Sequence, residues 1–374
     1  MNYCNYCLLP DTRPNLSILD DGRCNACHAW LEKKNSVDWK ARKNLLVELV
    51  DSIKNRSNTW DCVIPVSGGK DSTWQVIKVM ELGLKPLCIT WKTPARNSLG
   101  QKNLENLIRL GVDHIDFSIN PKIEKLFTVE TLKKAGSVAI PMHMALFAIP
   151  LNLAVYYKIP LVFFGENPAI EYGGTQKELL NFRMTNEWIK KFGVTNGTVI
   201  EDWVSDSLSL RDLSTYRWPT DEELERAGVM VQFLGWYLPW DPVETYSIAK
   251  SYGFEPLSGK PKTGYYQFAD IDDEFLITIH HWLKWYKFGF TRLWDNLSLE
   301  IRAGRLTREN AIEIVRKTGD EYPSEAIQKF CEWAKLEEVK FLEMVSVFRN
   351  KRIWTTKSNI WKIENFLIHD WKWQ

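Results

Sequence analysis

Residues 61–73 read DCVIPVSGGKDST. An apolar run ends at Val66, the loop Ser67-Gly68-Gly69-Lys70-Asp71-Ser72 follows, and Ser72–Met80 then spaces apolar residues as a helix does. The pattern is a buried strand, a glycine loop and a helix start. Two glycines let backbone N–H groups approach an anion, and the helix dipole adds about 0.3–1 kcal/mol of stabilisation. Lys70 contributes a charge, and Ser67 and Ser72 contribute hydroxyl donors. Asp71 makes sense beside phosphates only with Mg2+ between them. A γ-phosphate cradle of the form G-x-x-x-x-G-K-[ST] is excluded. If Gly69-Lys70 were its closing pair, the first glycine would fall at Ile64, and Asp71 stands where Ser or Thr is required.

Further along the chain, Lys85–Trp91 (KPLCITW) reads as a second strand, residues 98–111 as a helix and His114–Ile119 as a third strand. A helix over 122–135 follows, then a fourth strand at Pro160–Phe164 that closes on Gly165-Glu166-Asn167, and a fifth at Val229–Tyr237. Alternating strands and helices predict an α/β fold with a doubly wound parallel sheet. Within that frame Ser67–Ser72 resembles the S-G-G-x-D-S pyrophosphate loop of the PP-loop ATP pyrophosphatases, which cleave ATP between the α and β phosphates. The resemblance implies five strands in the order 3-2-1-4-5. Strand four then lies beside strand one, and Gly165-Glu166-Asn167 faces the loop where the strand order reverses. It also implies ATP and Mg2+. Ser67, Gly68, Gly69, Lys70, Asp71 and Ser72 would hold the leaving pyrophosphate, with Gly165 beside them and Thr90 near the adenine. Lys70 and Asp71 are the expected catalytic pair. Glu166 is a metal ligand or orienter, or else a solvated helix cap. His143 is a second, weaker candidate for a base, and the adjacent His280 and His281 read as structural.

Cys4, Cys7, Cys24 and Cys27 form C-x2-C, sixteen residues, C-x2-C. Two such turns can each present two thiolates to one tetrahedral metal ion. Zinc in a closed, structural ribbon is expected; a rubredoxin-like iron site or an iron–sulfur cluster is the alternative. Cys24–His28 also matches the C-x-x-C-H haem signature, but that attachment requires export and leaves the Cys4/Cys7 pair unexplained. Cys62, Cys88 and Cys331 read as buried small hydrophobes.

The chain has 374 residues, 45% hydrophobic and 25% charged, enough for two or three domains. A net charge of +1 gives no global basic face, so no nucleic-acid partner is expected. Residues 1–30 lack a cationic start followed by an apolar core. AIPMHMALFAIPLNLAVYY, residues 139–157, has no charged side chain and approaches bilayer-spanning length. Its prolines, His143 and Asn152, and the strand directly after it, favour a buried helix kinked near Pro150. A cytoplasmic chain with no membrane span is expected.

The nucleophile follows from what is missing. A tRNA-thiolating PP-loop enzyme can combine a zinc ribbon with S-G-G-K-D-S, and it is the main alternative. Such enzymes usually need further cysteines and a basic face; here the three remaining cysteines are isolated, with no third C-x2-C, and the chain is near neutral. Ammonia is the better nucleophile. Position 2 is Asn2 rather than Cys, and no cysteine lies in a G-x-C-x-G setting, so ammonia arrives free or from a separate glutaminase. Residues 270–310 carry Lys284 and Lys287, then Arg292, Arg302, Arg305 and Arg308. These form a solvated helical face or a site for an anionic substrate. This segment, the cysteine ribbon and FFGENPAIEYGG at 163–174 together resemble the N-acetyl sugar amidotransferases. Those serve bacterial surface-polysaccharide pathways of the lipopolysaccharide O-antigen and pseudaminic acid types. The resemblance implies conversion of an acetamido group on a nucleotide-activated sugar to an acetamidino group. It also implies two partners, a glutaminase subunit and a cyclase-like subunit that channels ammonia. Asn167, Tyr172, Lys284, Lys287, Arg292 and Arg302 are the expected substrate contacts. The chain is expected to divide into a ribbon (1–35), a PP-loop domain (36–255, with an insertion at about 171–226) and a helical substrate-binding region (256–374).

Overall fold

The computed structural model describes residues 1–374 apart from Asn55, Ser57, Thr175, Asn359 and Gln374. Five short strands form one sheet: β1 (Cys62–Pro65), β2 (Pro86–Trp91), β3 (Asp113–Phe117), β4 (Leu161–Phe164) and β5 (Met230–Phe233). All pairings are parallel and the order is β3-β2-β1-β4-β5, as the resemblance of the loop implies. Val63 at the centre pairs with Leu87 on one side and Val162 on the other. The middle strands are apolar because both faces of the sheet are covered by helices. The edge strand β3 instead exposes Asp113 and Asp116, which discourages pairing with another chain.

The first helices are α1 (Asn25–Ser36), α2 (Trp39–Ile53), α3 (Lys70–Glu81), α4 (Ser98–Ile108), α5 (Pro121–Ala135) and α6 (Ala139–Tyr157), of which α3 and α6 pack directly on the strands. The apolar run at 139–157 is α6. It packs against β1, β2 and β4, and 67% of its most apolar window is buried. Its composition is thus that of a core helix lying on a sheet. β5 is shorter than expected. It stops at Phe233, and Leu234–Tyr237 turns into a short helix. Gly235 permits the turn: its N–H donates to the Gly165 carbonyl at 3.0 Å, and a Cβ there would lie 3.1 Å from the Glu166 Cα.

The remaining chain adds α7 (Pro242–Ser251), α8 (Leu276–Phe288), α9 (Arg292–Arg302), α10 (Arg308–Thr318), α11 (Ser324–Ala334) and α12 (Glu338–Ser346). The region is helical as expected, and near its end it adds an antiparallel hairpin, β6 (Trp354–Lys357) and β7 (Ile360–Ile363). The main core extends from the sheet into α8, α11 and α12 through Phe275, Ile279, Trp282, Phe330 and Phe341. A second core joins the cysteine segment to α8, α9, α10 and the hairpin, through Leu8, Leu9, Trp285, Phe290, Trp294 and Trp354. The N-terminal segment therefore shares its apolar interior with the C-terminal helices.

Candidate active site

The loop after β1 does what its glycines permit. Gly68 has φ +86°, and a Cβ there would lie 2.6 Å from the backbone nitrogen of Leu104. Only glycine lets the loop pass so close to α4. Gly69 caps α3 without a side-chain bond, and the first intrahelical bond runs from Thr73 N–H to the Gly69 carbonyl at 3.0 Å. The N–H groups of Lys70, Asp71 and Ser72 precede that bond, so they are the free donors of a helix N-terminus. The hydroxyls of Ser72 and Thr73 donate back to the Gly69 carbonyl, both at 3.0 Å, and hold the turn.

Lys70 and Asp71 are ion-paired. The Lys70 ammonium lies 2.6 Å from each Asp71 carboxylate oxygen and is almost fully buried. Asp71 also accepts from the Trp240 indole N–H at 2.9 Å and the Thr245 hydroxyl at 3.2 Å. The ammonium faces the rings of Trp240 and Phe268 at 5.4 and 5.8 Å. Glu166 follows β4 and lines the same cleft. Burial pushes its carboxyl up to about 7, the Asp71 charge adds to this, and Lys70 opposes it.

The far wall comes from the C-terminal region: Tyr266, Phe268, Asp270 and Asp272 from the coil before α8, and Arg292 and Asn296 from α9. The cavity between the walls is about 200 Å³. Sites that enclose a whole ligand usually run to about 300–1,000 Å³, so a nucleotide and a second substrate would have to extend beyond it. Arg292 donates from Nε to Asp270 at 3.2 Å and lies over the Tyr172 ring at 5.7 Å. Its terminal nitrogens have no partner among the described residues. Four carboxylates line the cleft. Asp71 is matched by Lys70 and Asp270 by Arg292, which leaves Glu166 and Asp272 uncompensated. Burial, and the neighbouring Asp273 charge, push Asp272 up to about 7 as well.

The four N-terminal cysteines converge as their spacing predicts and are fully buried. Cys4–Cys27 and Cys7–Cys24 are each 3.8 Å apart between sulfurs, and Cys24–Cys27 is 3.5 Å. A tetrahedron of thiolates about 2.3 Å from zinc has edges of about 3.8 Å, so the set fits zinc with no open position. Backbone N–H groups of Cys7 and Cys24 point at the Cys4 sulfur at 3.4 and 3.2 Å. The cluster braces the cleft through the segment after β4. Lys33 of α1 pairs with Glu171 at 2.5 Å and donates to the Trp240 carbonyl at 3.2 Å, and Asn25 donates to the Gly174 carbonyl at 3.0 Å.

The expected site residues divide accordingly. Ser67, Gly69, Lys70, Asp71, Ser72, Glu166, Tyr172 and Arg292 line the cleft. Gly68 supports the loop from behind, and Gly165 and Asn167 flank Glu166. Asn167 is buried, and its side-chain Oδ1 accepts from the Ala169 N–H at 3.0 Å, capping the turn there. Thr90 is away from the cleft and shares a hydrogen bond of 2.8 Å with His114. The basic group of the C-terminal region disperses. Lys284 lies under Arg13 against buried Asp295, at 2.9 and 2.8 Å from its oxygens respectively. Lys287 is outside the cleft, beside Phe288, and burial lowers its pKa to about 8. Arg302 sits behind the cysteines and donates to the Ser298 and Glu171 carbonyls. Burial opposes its charge, yet the sulfurs of Cys7, Cys27 and Cys24 hold its pKa above the ordinary value. Arg308 donates to the carbonyls of Cys7 and Cys4. Arg302 and Arg308 are therefore placed to support the cysteine cluster, and neither reaches the cleft. Trp240, Tyr266, Phe268, Asp272 and Asn296 were not anticipated. The dense run YYQFADIDDE at 265–274 was the available signal, but nothing local shows that it folds over the loop.

Residues 262–367, which supply most of the far wall, match the family model of the LPS biosynthesis protein WbpG-like, C-terminal domain. No curated protein matches the chain. Among solved structures, NH3-dependent NAD synthetase from Campylobacter jejuni is similar at 17% identity and a TM-score of 0.30, covering 60% of this chain and 100% of that one. NMN synthetase from Francisella tularensis is similar at 18% identity and a TM-score of 0.27, covering 60% and 99%. NAD+ synthetase from Burkholderia pseudomallei is similar at 10% identity and a TM-score of 0.26, covering 58% and 88%. Likenesses this distant add nothing to the strand order described above.

Proposed function

We propose that the chain is an ATP-dependent, AMP-forming amidotransferase that turns an acetamido group of a nucleotide-activated sugar into an acetamidino group during bacterial surface-polysaccharide biosynthesis. One observation carries the reading. The Ser67–Ser72 loop, with its free helix N-terminus, faces a wall supplied by the segment that matches the WbpG-like lipopolysaccharide biosynthesis domain.

An amide carbonyl is a poor electrophile, and its oxygen is a poor leaving group. In the proposed reaction the amide oxygen bonds to the α-phosphorus of ATP. The bond between that phosphorus and the bridging oxygen breaks, and its electron pair leaves on pyrophosphate. The amide nitrogen loses its proton to solvent, giving an imidate. Ammonia then bonds to the imidate carbon, and the carbon–oxygen bond breaks to release AMP. The loop N–H groups and Lys70 neutralise the departing pyrophosphate. Asp71 and Glu166 would hold Mg2+, which supplies further charge neutralisation. The terminal nitrogens of Arg292 suit a phosphate or carboxylate of the sugar substrate. Ammonia comes from a separate glutaminase subunit through a cyclase-like subunit. Zinc bound at the four cysteines would be structural, and α1, which carries Cys27, would then hold the 166–174 segment through Lys33 and Asn25.

The test is product analysis. The chain is incubated with ATP, Mg2+, ammonium and a panel of UDP-, CMP- and GDP-linked acetamido sugars. Mass spectrometry should find AMP, pyrophosphate and a sugar in which NH replaces O. ADP formation, or AMP formation with an unaltered sugar, would refute the reading.

A further inference from the structure

The segment Asp270-Ile271-Asp272-Asp273 runs past α4 at the far wall, and its three carboxylates are placed differently. Asp270 accepts from Arg292 at 3.2 Å. Asp273 turns inward, where it accepts from the Thr93 hydroxyl at 2.6 Å and from the N–H groups of Phe275 and Ile277 at the start of α8. The Asp272 side chain has no hydrogen-bond partner in another residue among those described, and it lines the cleft.

Its position is nonetheless fixed. The Asp272 carbonyl accepts from Asn97 N–H at 3.2 Å, and the Asn97 side chain donates to the Ile271 carbonyl at 2.7 Å. At Gly100 a Cβ would lie 2.7 Å from the Asp272 Cα, so α4 admits this close contact only because residue 100 is glycine. A backbone held at two points places one unpaired carboxylate on the wall of the cleft that the phosphate loop also lines. Glu166 is the other unpaired carboxylate, but it lies beside Asp71, where a cation and phosphates would occupy it. The charges that act most strongly on Asp272 are Asp273, Asp270 and Arg96, not the loop residues.

We propose that Asp272 takes the proton from the incoming ammonium and is thus a catalytic residue of the second half-reaction. The inference rests on the amidotransferase reading above. Ammonium gives one proton to the Asp272 carboxylate, and the freed lone pair forms the carbon–nitrogen bond. The carbon–oxygen bond breaks, and its electrons leave on AMP. The remaining three protons of the ammonia nitrogen are shared with the sugar nitrogen in the product amidinium. Asp272 then returns its proton to solvent. Its elevated pKa, near 7, suits a group that must accept and release a proton around neutral pH. The charged groups that act on it are Asp273 and Asp270 on its own segment and Arg96 before α4, while Lys70, Asp71 and Glu166 across the cleft and Arg292 on α9 line the same cavity. Arg96 is already engaged by Asp116, with two contacts of 2.7 Å.

Asp272→Asn and Asp272→Glu test the assignment in the full-length chain, with whichever sugar of the panel supports AMP release in the wild type. Three rates are compared: sugar-dependent exchange of labelled pyrophosphate into ATP, AMP release with ammonium chloride, and AMP release with hydroxylamine. Hydroxylamine is already deprotonated at neutral pH and needs no base. In Asp272→Asn, kcat/KM for ammonium should fall about 10²–10⁴-fold, the usual contribution of a positioned base. Exchange and the hydroxylamine reaction should persist, and Asp272→Glu should recover part of the ammonium rate. Equal losses with ammonium and hydroxylamine, or an unchanged ammonium rate, would overturn the assignment. If Asp272→Asn misfolds and loses exchange as well, Asp272→Glu decides by the same ratio. Absence of exchange in the wild type would overturn the amidotransferase reading, and this inference with it.

Discussion

The two walls of the cleft are built in opposite ways. The near wall is six consecutive residues between a strand and a helix, plus the end of the neighbouring strand. Its geometry is local, and parallel strand order alone brings Glu166 to Lys70. The far wall gathers Tyr266, Phe268, Asp270, Asp272, Arg292 and Asn296 from a coil and a helix. Each is held by a partner distant in sequence, such as Asn97 at the coil or the Asp295 ion cluster on α9. A phosphate loop uses backbone N–H groups, which a short motif can encode. Recognition of a particular substrate needs side chains at particular places, and only tertiary packing provides those.

This contrast predicts different responses to mutation. The largest effect belongs to the near wall. Lys70→Ala should lower AMP and pyrophosphate formation at least about 10³-fold while the melting temperature stays close to wild type, because it removes a group that acts on the reacting phosphates. Near-normal turnover in steady-state assays would remove the loop from the chemistry.

Next is the support of the far wall. Asp295 is fully buried between Arg13 and Lys284. Burial opposes its charge, and Arg13, Lys284 and Arg292 still hold its carboxyl well below the usual range. Asp295→Ala leaves two cations without their partner and should cost about 3–5 kcal/mol of unfolding free energy by denaturant titration. A loss under about 1 kcal/mol would mean the site does not depend on that pair.

A smaller effect is expected at Arg292, which faces the cleft. Arg292→Lys keeps the charge but loses the planar fork, so KM for the sugar should rise about tenfold with little change in KM for ATP. A selective effect on ATP would move Arg292 to the nucleotide side.

The smallest effect is a pH dependence away from the cleft. Buried Glu124 accepts from the Trp91 indole N–H at 2.8 Å, and burial, only partly offset by that bond, pushes it up to about 7. Between the ordinary glutamate range and about 7 the folded chain keeps a proton that the unfolded chain has released, so stability falls as pH rises through that window. Glu124→Gln should remove this part of the slope and raise the melting temperature at pH 8 by a few degrees, with little change at pH 4. Equal melting shifts at both pH values would contradict the assignment.

The same contrast explains what was legible in the sequence. The strands, the loop and the cysteine cluster were legible because each follows from periodicity or spacing over a few tens of residues, whereas the strand order came from the resemblance of the loop to a known family. Arg302 was misplaced. Its type suits a phosphate, yet in this fold its charge answers the buried cysteine sulfurs. Lys284 was misplaced for a similar reason, since its charge answers buried Asp295, which it shares with Arg13 from the other end of the chain. Thr90 has the right strand, but its hydroxyl is taken by His114 on the neighbouring strand. The aromatic residues opposite the loop left no periodic trace, because they come from a coil held in place by α4 and α7.

The central claim is that the amide oxygen of the sugar is the atom adenylylated. Its most direct test uses an acetamido sugar carrying heavy oxygen in the acetyl carbonyl, incubated with the chain, ATP, Mg2+ and ammonium. Mass spectrometry should find the label in the phosphate of AMP and none in pyrophosphate or in the product sugar. Label retained in the sugar, or AMP released without it, would contradict the account.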